Sequence, residues 1–174
     1  SPFSFFQVHK PQAELLYEKT LAYADLHGGE TVIDAYCGTG TISLCLAQKA
    51  GRVIGIEIVK EAIEDAKKNA AFNHIENAEF YAADAGEFMP KLYQEGLRPD
   101  VIVMDPVRAG CSETVLSAAA GMQPSRIVYV SCNVATFARD AKILAELGYT
   151  VKEVTPVDMF PQTMHVETVA LLTR

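Results

Sequence analysis

The sequence predicts an α/β protein built on one doubly wound, mixed sheet of seven strands, with the last strand antiparallel to its neighbour. Two observations carry that prediction. Five short apolar runs of β-type composition are separated by stretches of helical period, which makes them parallel strands joined by crossover helices, with helices on both faces of the sheet. Between the last two runs lie only residues 156–165, too few for a helical crossover, so these two strands pair antiparallel at one side.

The elements follow in order. Pro11 opens a first helix in which Ala13, Leu16, Tyr17, Leu21 and Ala24 recur at helical spacing, and Gly28-Gly29 is expected to close it. Strands are expected over 31–35, 52–56, 78–81, 101–104, 126–130, 150–155 and 166–172. No internal repeat, low-complexity tract or linker interrupts the series, and 174 residues with 49% hydrophobic content suit one domain over 1–174.

Composition excludes several classes. No apolar run approaches the roughly 18 residues that span a bilayer, and the first residues lack the basic-then-apolar plan of a secretory leader, so no membrane association is expected. Cys37, Cys45, Cys111 and Cys132 form no C-x-x-C pair and have no histidine at zinc spacing, which predicts neither metal site nor disulfide framework and fits a reducing, cytoplasmic setting. The net charge of −7 weighs against a broad basic surface, so any nucleic acid is held locally or by a part of the protein outside this chain. A monomer is the default expectation.

Open α/β sheets bind ligands beyond the carboxyl ends of their strands. Here those exits carry Asp34 to Gly40, Glu57, Asp84, Asp105 and Cys132. In "DAYCGTGTISL", Gly38 and Gly40 form a turn into a helix starting near Thr41, and Glu57, 17 residues beyond Gly40, is placed to accept hydrogen bonds from ribose hydroxyls. A nucleoside-containing ligand is expected. Ser43 replaces the third glycine of a dinucleotide fingerprint, and the carboxylate of Asp34 would repel a pyrophosphate, so a cationic ligand is favoured. S-adenosylmethionine fits, with its ammonium, sulfonium, ribose and adenine meeting Asp34, the glycine turn, Glu57 and Asp84.

Two further exits concern a second substrate. Asp105-Pro106 closes a strand with a carboxylate and a fixed bend, and Arg108 either meets a phosphate or carboxylate or is an ordinary surface arginine. Cys132 follows its strand and precedes a helix amino terminus, whose partial positive charge is expected to favour the thiolate and so to make a nucleophile. Cys45, on an apolar helix face, reads as a packing residue. An antiparallel final strand beside the Cys132 strand brings His165 and Glu167 near the thiol, with Glu167 as candidate general base and His165 without an assigned role.

"FFQV" at 5–8, "DAYCGTGTISL", "IGIEIV", "MDPVRAG", "VYVSCNVATFARD" and "DMFPQTMHVE", in this order and spacing, resemble the catalytic domain of the S-adenosylmethionine-dependent RNA uridine-C5 methyltransferases. The resemblance covers nearly the whole chain. It implies a Rossmann-like class I methyltransferase fold, cofactor contacts from Gln7, Tyr36, Glu57 and Asp105, a nucleophile at Cys132 and a base at Glu167. It further implies methyl transfer to C5 of a uridine in RNA, ribosomal in preference to transfer RNA, through a cysteine adduct at C6. Asn133 is expected to orient the uracil, and Phe160 to stack on a nucleotide swung out of the RNA. Family members carry RNA-recognition domains ahead of this segment, so the chain is expected to be the carboxyl-terminal part of a longer protein and to hold RNA weakly by itself. His9, Val107 and Val134 stand where the family commonly has asparagine, proline and proline, the last predicting a looser nucleophile loop.

Rival readings are an RNA cytosine-C5 methyltransferase, a plain nucleotide-binding module and a dinucleotide-dependent oxidoreductase. The first typically needs a second cysteine in the motif spanning 105–108, and the nearest here is Cys111. The other two have no use for Cys132 or Glu167.

Overall fold

The computed structural model describes residues 11–158 and 166–174. Its order is α1 (Pro11–Ala24), β1 (Thr31–Asp34), α2 (Thr41–Ala47), β2 (Arg52–Glu57), α3 (Lys60–Phe72), β3 (Ala78–Ala82), α4 (Ala85–Gln94), β4 (Val101–Met104), α5 (Glu113–Gly121), β5 (Arg126–Ser131), α6 (Val134–Glu146), β6 (Thr150–Asp158) and β7 (Val166–Thr173). The strands form one sheet in the order β3-β2-β1-β4-β5-β7-β6, with β1 to β5 parallel and β7 antiparallel to both β5 and β6. The expected mixed, doubly wound sheet is therefore present.

Side chains alternate across each strand, and the two faces bury different residues. Val32, Val53, Val103, Val130 and Val169 pack with Leu16 and Tyr23 of α1 and Ile42 and Leu46 of α2. Ile33, Ile54, Ile102, Tyr129 and Leu172 pack with Met89 of α4, Leu116 of α5 and Leu144 of α6. A third cluster, joining Leu44 to Ile63, Ala66 and Phe80, fixes α3 beside α2. Strands buried on both faces read as continuous apolar runs, which is why β4 and β5 were so legible.

Two boundaries differ from the sequence expectation by more than one residue. The first helix ends at Ala24, ahead of Gly28-Gly29, because Asp25 adopts a left-handed φ of 52° and breaks the helical path. β6 continues through Pro156 to Asp158, since it lies at the sheet edge, where a missing N–H need not break a ladder. No helix among the described residues is long and apolar enough to cross a membrane.

Candidate active site

β1 delivers Asp34, whose side chain is 1% exposed. Ser43 of α2 donates its hydroxyl to Oδ2 at 2.7 Å, while Oδ1 has no hydrogen-bond partner among the described residues. Burial raises this carboxyl to about 6, against the pull of Ser43 and of the Tyr36 backbone N–H, and the charge of Glu57 pushes the same way as burial. Ser43 is thus a direct partner of the acid, which its reading as a lost glycine did not foresee.

The glycine turn is held by Glu57. Its Oε1 accepts from the Gly38 N–H at 3.2 Å and its Oε2 from the Val59 N–H at 2.9 Å, so the carboxylate expected to meet a ribose also braces the turn. Each carboxylate oxygen has a second lone pair, which leaves Glu57 able to accept further donors. Gly38 and Gly40 have φ of 54° and 89°. A Cβ on Gly38 would meet nothing within 4 Å, whereas one on Gly40 would lie 3.0 Å from Ala66 Cβ and 3.1 Å from the Phe80 ring. Gly38 therefore faces open space and Gly40 serves packing.

A cleft of about 370 Å³ opens here, lined among others by Tyr17, Asp34, Tyr36, Gly38, Glu57 and Asp105. Asp84 is not part of its wall. That exposed residue caps α4, accepting from the Gly86 N–H at 2.7 Å.

Asp105 follows β4, and burial raises its carboxyl to about 7, with the charges of Asp34 and Glu167 adding to the effect. On the other side, β5 pairs Ser131 with Thr168 of β7. Continuing that register by one residue sets Cys132 opposite Glu167. Strand parity agrees: Asp34, Glu57, Asp105, Cys132 and Glu167 fall in step with Val32, Val53, Val103, Val130 and Val169, all on the α1–α2 face. The juxtaposition of thiol and carboxylate expected from an antiparallel β7 is present.

The thiol itself departs from expectation. Partial burial and then the charge of Glu167 raise the Cys132 pKa, and Asp105 adds to this, while its own backbone N–H and Arg108 pull the other way. Burial and two carboxylates thus oppose the pull of the helix amino terminus on this thiol. Cys37, Cys45 and Cys111 are buried, and burial pushes Cys45 and Cys111 up to about 12.

The loop carrying Cys132 is braced from several sides. Ser131 Oγ donates to the Asn133 carbonyl at 2.8 Å and accepts from the Asn133 N–H at 3.0 Å. Asn133 is the N-cap of α6, its Oδ1 accepting from Ala135 N–H at 3.0 Å and Thr136 N–H at 3.4 Å, so its side-chain carbonyl holds the helix start instead of facing a substrate. Thr136 Oγ1 lies 3.1 Å from the carbonyls of both Arg108 and Asn133. The Val134 position, exposed and outside these bonds, does not leave the loop untethered.

Sequence reasoning missed Thr136, Arg139, Asp140 and Tyr129. Asp140 is wholly buried and accepts from the Tyr129 hydroxyl at 2.6 Å, the Cys111 N–H at 2.8 Å and Arg139 Nε at 3.0 Å. The available signal was an aspartate on the inward face of an otherwise amphipathic helix. Arg108 is exposed, with its backbone carbonyl held by Thr136. Gln7, Phe160, His9 and His165 lie outside the described residues.

Comparison with known proteins gives this geometry a lineage. A structure of Pyrococcus abyssi tRNA (uracil-54, C5)-methyltransferase in complex with S-adenosyl-L-homocysteine superposes with a TM-score of 0.79 at 34% identity, covering 97% of this chain and 40% of that one. A Geobacter metallireducens precorrin-6y C5,15-methyltransferase, at 17% identity and TM-score 0.77, shares the fold. The fold is thus the Rossmann-like one that these methyltransferases share. The family description tRNA (uracil-5-)-methyltransferase matches residues 4–174, and the chain belongs to that family. An RNA methyltransferase of Bacillus cereus is 59% identical over 171 residues, and one of Clostridium tetani 55% over 173. The chain spans 37% and 38% of the lengths of these two relatives.

Proposed function

We propose that the chain transfers a methyl group from S-adenosylmethionine to C5 of a uridine in RNA, with Cys132 as nucleophile and Glu167 as base. The observation that carries this reading is the register of β5 and β7, which sets Cys132 opposite Glu167 on the face where Asp34, Glu57 and Asp105 gather. A covalent route needs a thiol and a carboxylate in one pocket, and neither nucleotide binding nor hydride transfer does.

The cleft suits a cation. Asp34 and Asp105 are raised by burial and by neighbouring charge, and Asp34 Oδ1 has no partner among the described residues, so a positively charged ligand would relieve both costs. Asp34, Tyr36, Gly38, Glu57 and Asp105 are the described residues that would hold it, with Gln7 added by the family resemblance; Gly40 shapes the turn. When bound, S-adenosylmethionine supplies a methyl group activated on its sulfonium. Cys132, once deprotonated, adds to uracil C6, forming an S–C6 bond and placing electron density on C5, which takes up the methyl. Glu167 then removes the C5 proton, the S–C6 electrons return to sulfur, and the ring regains its double bond.

Cys111 supports uracil over cytosine as the target. It is 5% exposed and its Sγ sits 3.8 Å from Met104 Sδ, so it is packed away from the cleft as no second nucleophile would be. RNA grip is assigned to the remainder of the longer protein, since the chain is acidic and its cleft is lined by carboxylates. The sequence reading favours ribosomal RNA, whereas the family description and the Pyrococcus enzyme are named for tRNA. Both are assayed together: 5-fluorouridine-substituted rRNA and tRNA transcripts are incubated with cofactor and protein of the relatives' full length. Fluorine cannot leave as a proton, so a denaturation-resistant protein–RNA adduct is expected with wild type and none with Cys132→Ala. An adduct formed equally by Cys132→Ala refutes the assignment.

A further inference from the structure

Four bonds tie α6 to the loop that follows β4, one of them from Arg139 Nη2 to the Cys111 carbonyl at 3.4 Å. Thr136 Oγ1 holds the Arg108 carbonyl at 3.1 Å, Arg139 Nη2 donates to the Ala109 carbonyl at 2.8 Å, and Asp140 Oδ2 accepts from the Cys111 N–H at 2.8 Å. Asp140, without exposed surface, is fixed in turn by the Tyr129 hydroxyl and Arg139 Nε, so the anchoring anion is paired on several sides. Gly110 completes the fit. A Cβ there would lie 2.6 Å from Arg139 Nη2 and 2.7 Å from Asp140 Oδ2, and its φ of 81° belongs to the left-handed region. The helix that follows Cys132 and the loop that carries Arg108 thus form one hydrogen-bonded unit.

Among the described residues, Arg108 is a cation whose charge favours the Cys132 thiolate, against burial, Glu167 from β7 and Asp105 from its own loop. Its side chain is exposed, and the Arg108 and Ala109 carbonyls are the points at which α6 holds its backbone. We infer that Thr136, Arg139 and Asp140 are positioning residues that clamp the 107–111 loop to α6 and thereby keep Arg108 beside the Cys132 thiol. The inference deepens the nucleophile assignment and rests on it for its purpose, but the clamp acts on the thiol whether or not RNA is present.

The test reads the thiol directly. Iodoacetamide alkylation of Cys132 is followed from pH 6 to 10 by mass spectrometry of the Cys132 peptide, the other three cysteines being buried. Arg108→Gln is expected to slow alkylation near neutral pH by about twofold to fivefold, the range of a partly exposed charge pair, with the profile displaced to higher pH. Arg139→Gln is expected to reproduce most of that displacement. So is Arg139→Lys, which keeps the charge but cannot bridge Asp140 and the Ala109 carbonyl together. Thr136→Val, a milder change, gives a smaller displacement of the same sign. In the Arg108→Gln background, Arg139→Gln adds nothing further, because it acts through Arg108.

An unshifted profile in folded Arg139→Gln and Thr136→Val, or full additivity with Arg108→Gln, overturns the clamp. So does a wild-type profile in Arg139→Lys, which would leave only its charge. Failure of the 5-fluorouridine adduct with a displaced alkylation profile refutes the reaction and leaves the clamp standing; the reverse pattern does the opposite.

Discussion

Asp105 and Asp34 end adjacent parallel strands, and the charge of Asp34, after burial, holds the Asp105 carboxyl up near 7. Acidic groups so placed oppose folding and favour a cationic ligand, and both effects are measurable.

For stability, the sign follows from proton binding. An ordinary aspartate has a pKa of 3.8, and Asp105 in the fold has one of about 7, so the folded chain binds this proton more tightly. The cost of ionising Asp105 is absent below about pH 4, grows as pH rises, and is complete above about pH 7. Asp105→Asn is expected to raise Tm at pH 8 by several degrees, to leave it nearly unchanged at pH 4, and to abolish cofactor binding. Thermal denaturation at the two pH values checks this, and a lowered Tm at pH 8 contradicts it.

Cofactor binding is expected to release protons. Between pH 6 and 7, Asp34 and Asp105 are partly protonated, and a sulfonium and ammonium in the cleft favour their ionised forms. S-adenosylmethionine should release more protons than the thioether S-adenosylhomocysteine and should bind more weakly as pH falls below 6. Calorimetry in buffers of different ionisation enthalpy measures the difference. Equal proton release by the two ligands argues against a role for the sulfonium charge.

The two glycines of the turn are expected to fail differently. Gly38→Ala meets no atom within 4 Å, so it incurs chiefly the left-handed strain of about 1 kcal/mol and obstructs the cleft. Gly40→Ala adds contacts at 3.0–3.1 Å with Ala66 and Phe80 and is expected to lose more, on the order of 2–3 kcal/mol. Urea titration with cofactor binding separates them: Gly38→Ala stays folded and binds poorly, whereas Gly40→Ala is the less stable protein.

Glu167→Gln removes a charge that raises the Cys132 pKa, so the thiol should alkylate faster at pH 7.5 than in wild type. With ordinary uridine RNA and cofactor, the same variant should retain a methylated covalent adduct, because the C5 proton has no acceptor. Slower alkylation, or full turnover without adduct, shows that Glu167 is neither neighbour nor base.

The site was read from strand ends, and the strand ends were legible because five apolar runs buried on both faces have little alternative but to be parallel strands. The short spacing ahead of β7 puts Glu167, at the start of that strand, beside Cys132 at the end of another, since antiparallel pairing sets a strand start against a strand end. Asp84, read on the same logic, also caps α4. A strand-exit aspartate serves equally as a helix cap, and which role it takes depends on where its helix starts relative to the cleft.

What the sequence determined by itself was the order of strands and helices, the glycine turn, and the group of acids and one thiol at the carboxyl ends, all consequences of local pattern and strand parity. What only the tertiary structure decided was charge and restraint. The Cys132 thiol is raised because the fold partly buries it and brings Glu167 and Asp105 from other segments, and the loop that bears Arg108 is held by Asp140, which lies 29 residues on from its partner Cys111. Ionisation and clamping depend on distances between segments remote in the chain, and those distances exist only once the sheet has formed.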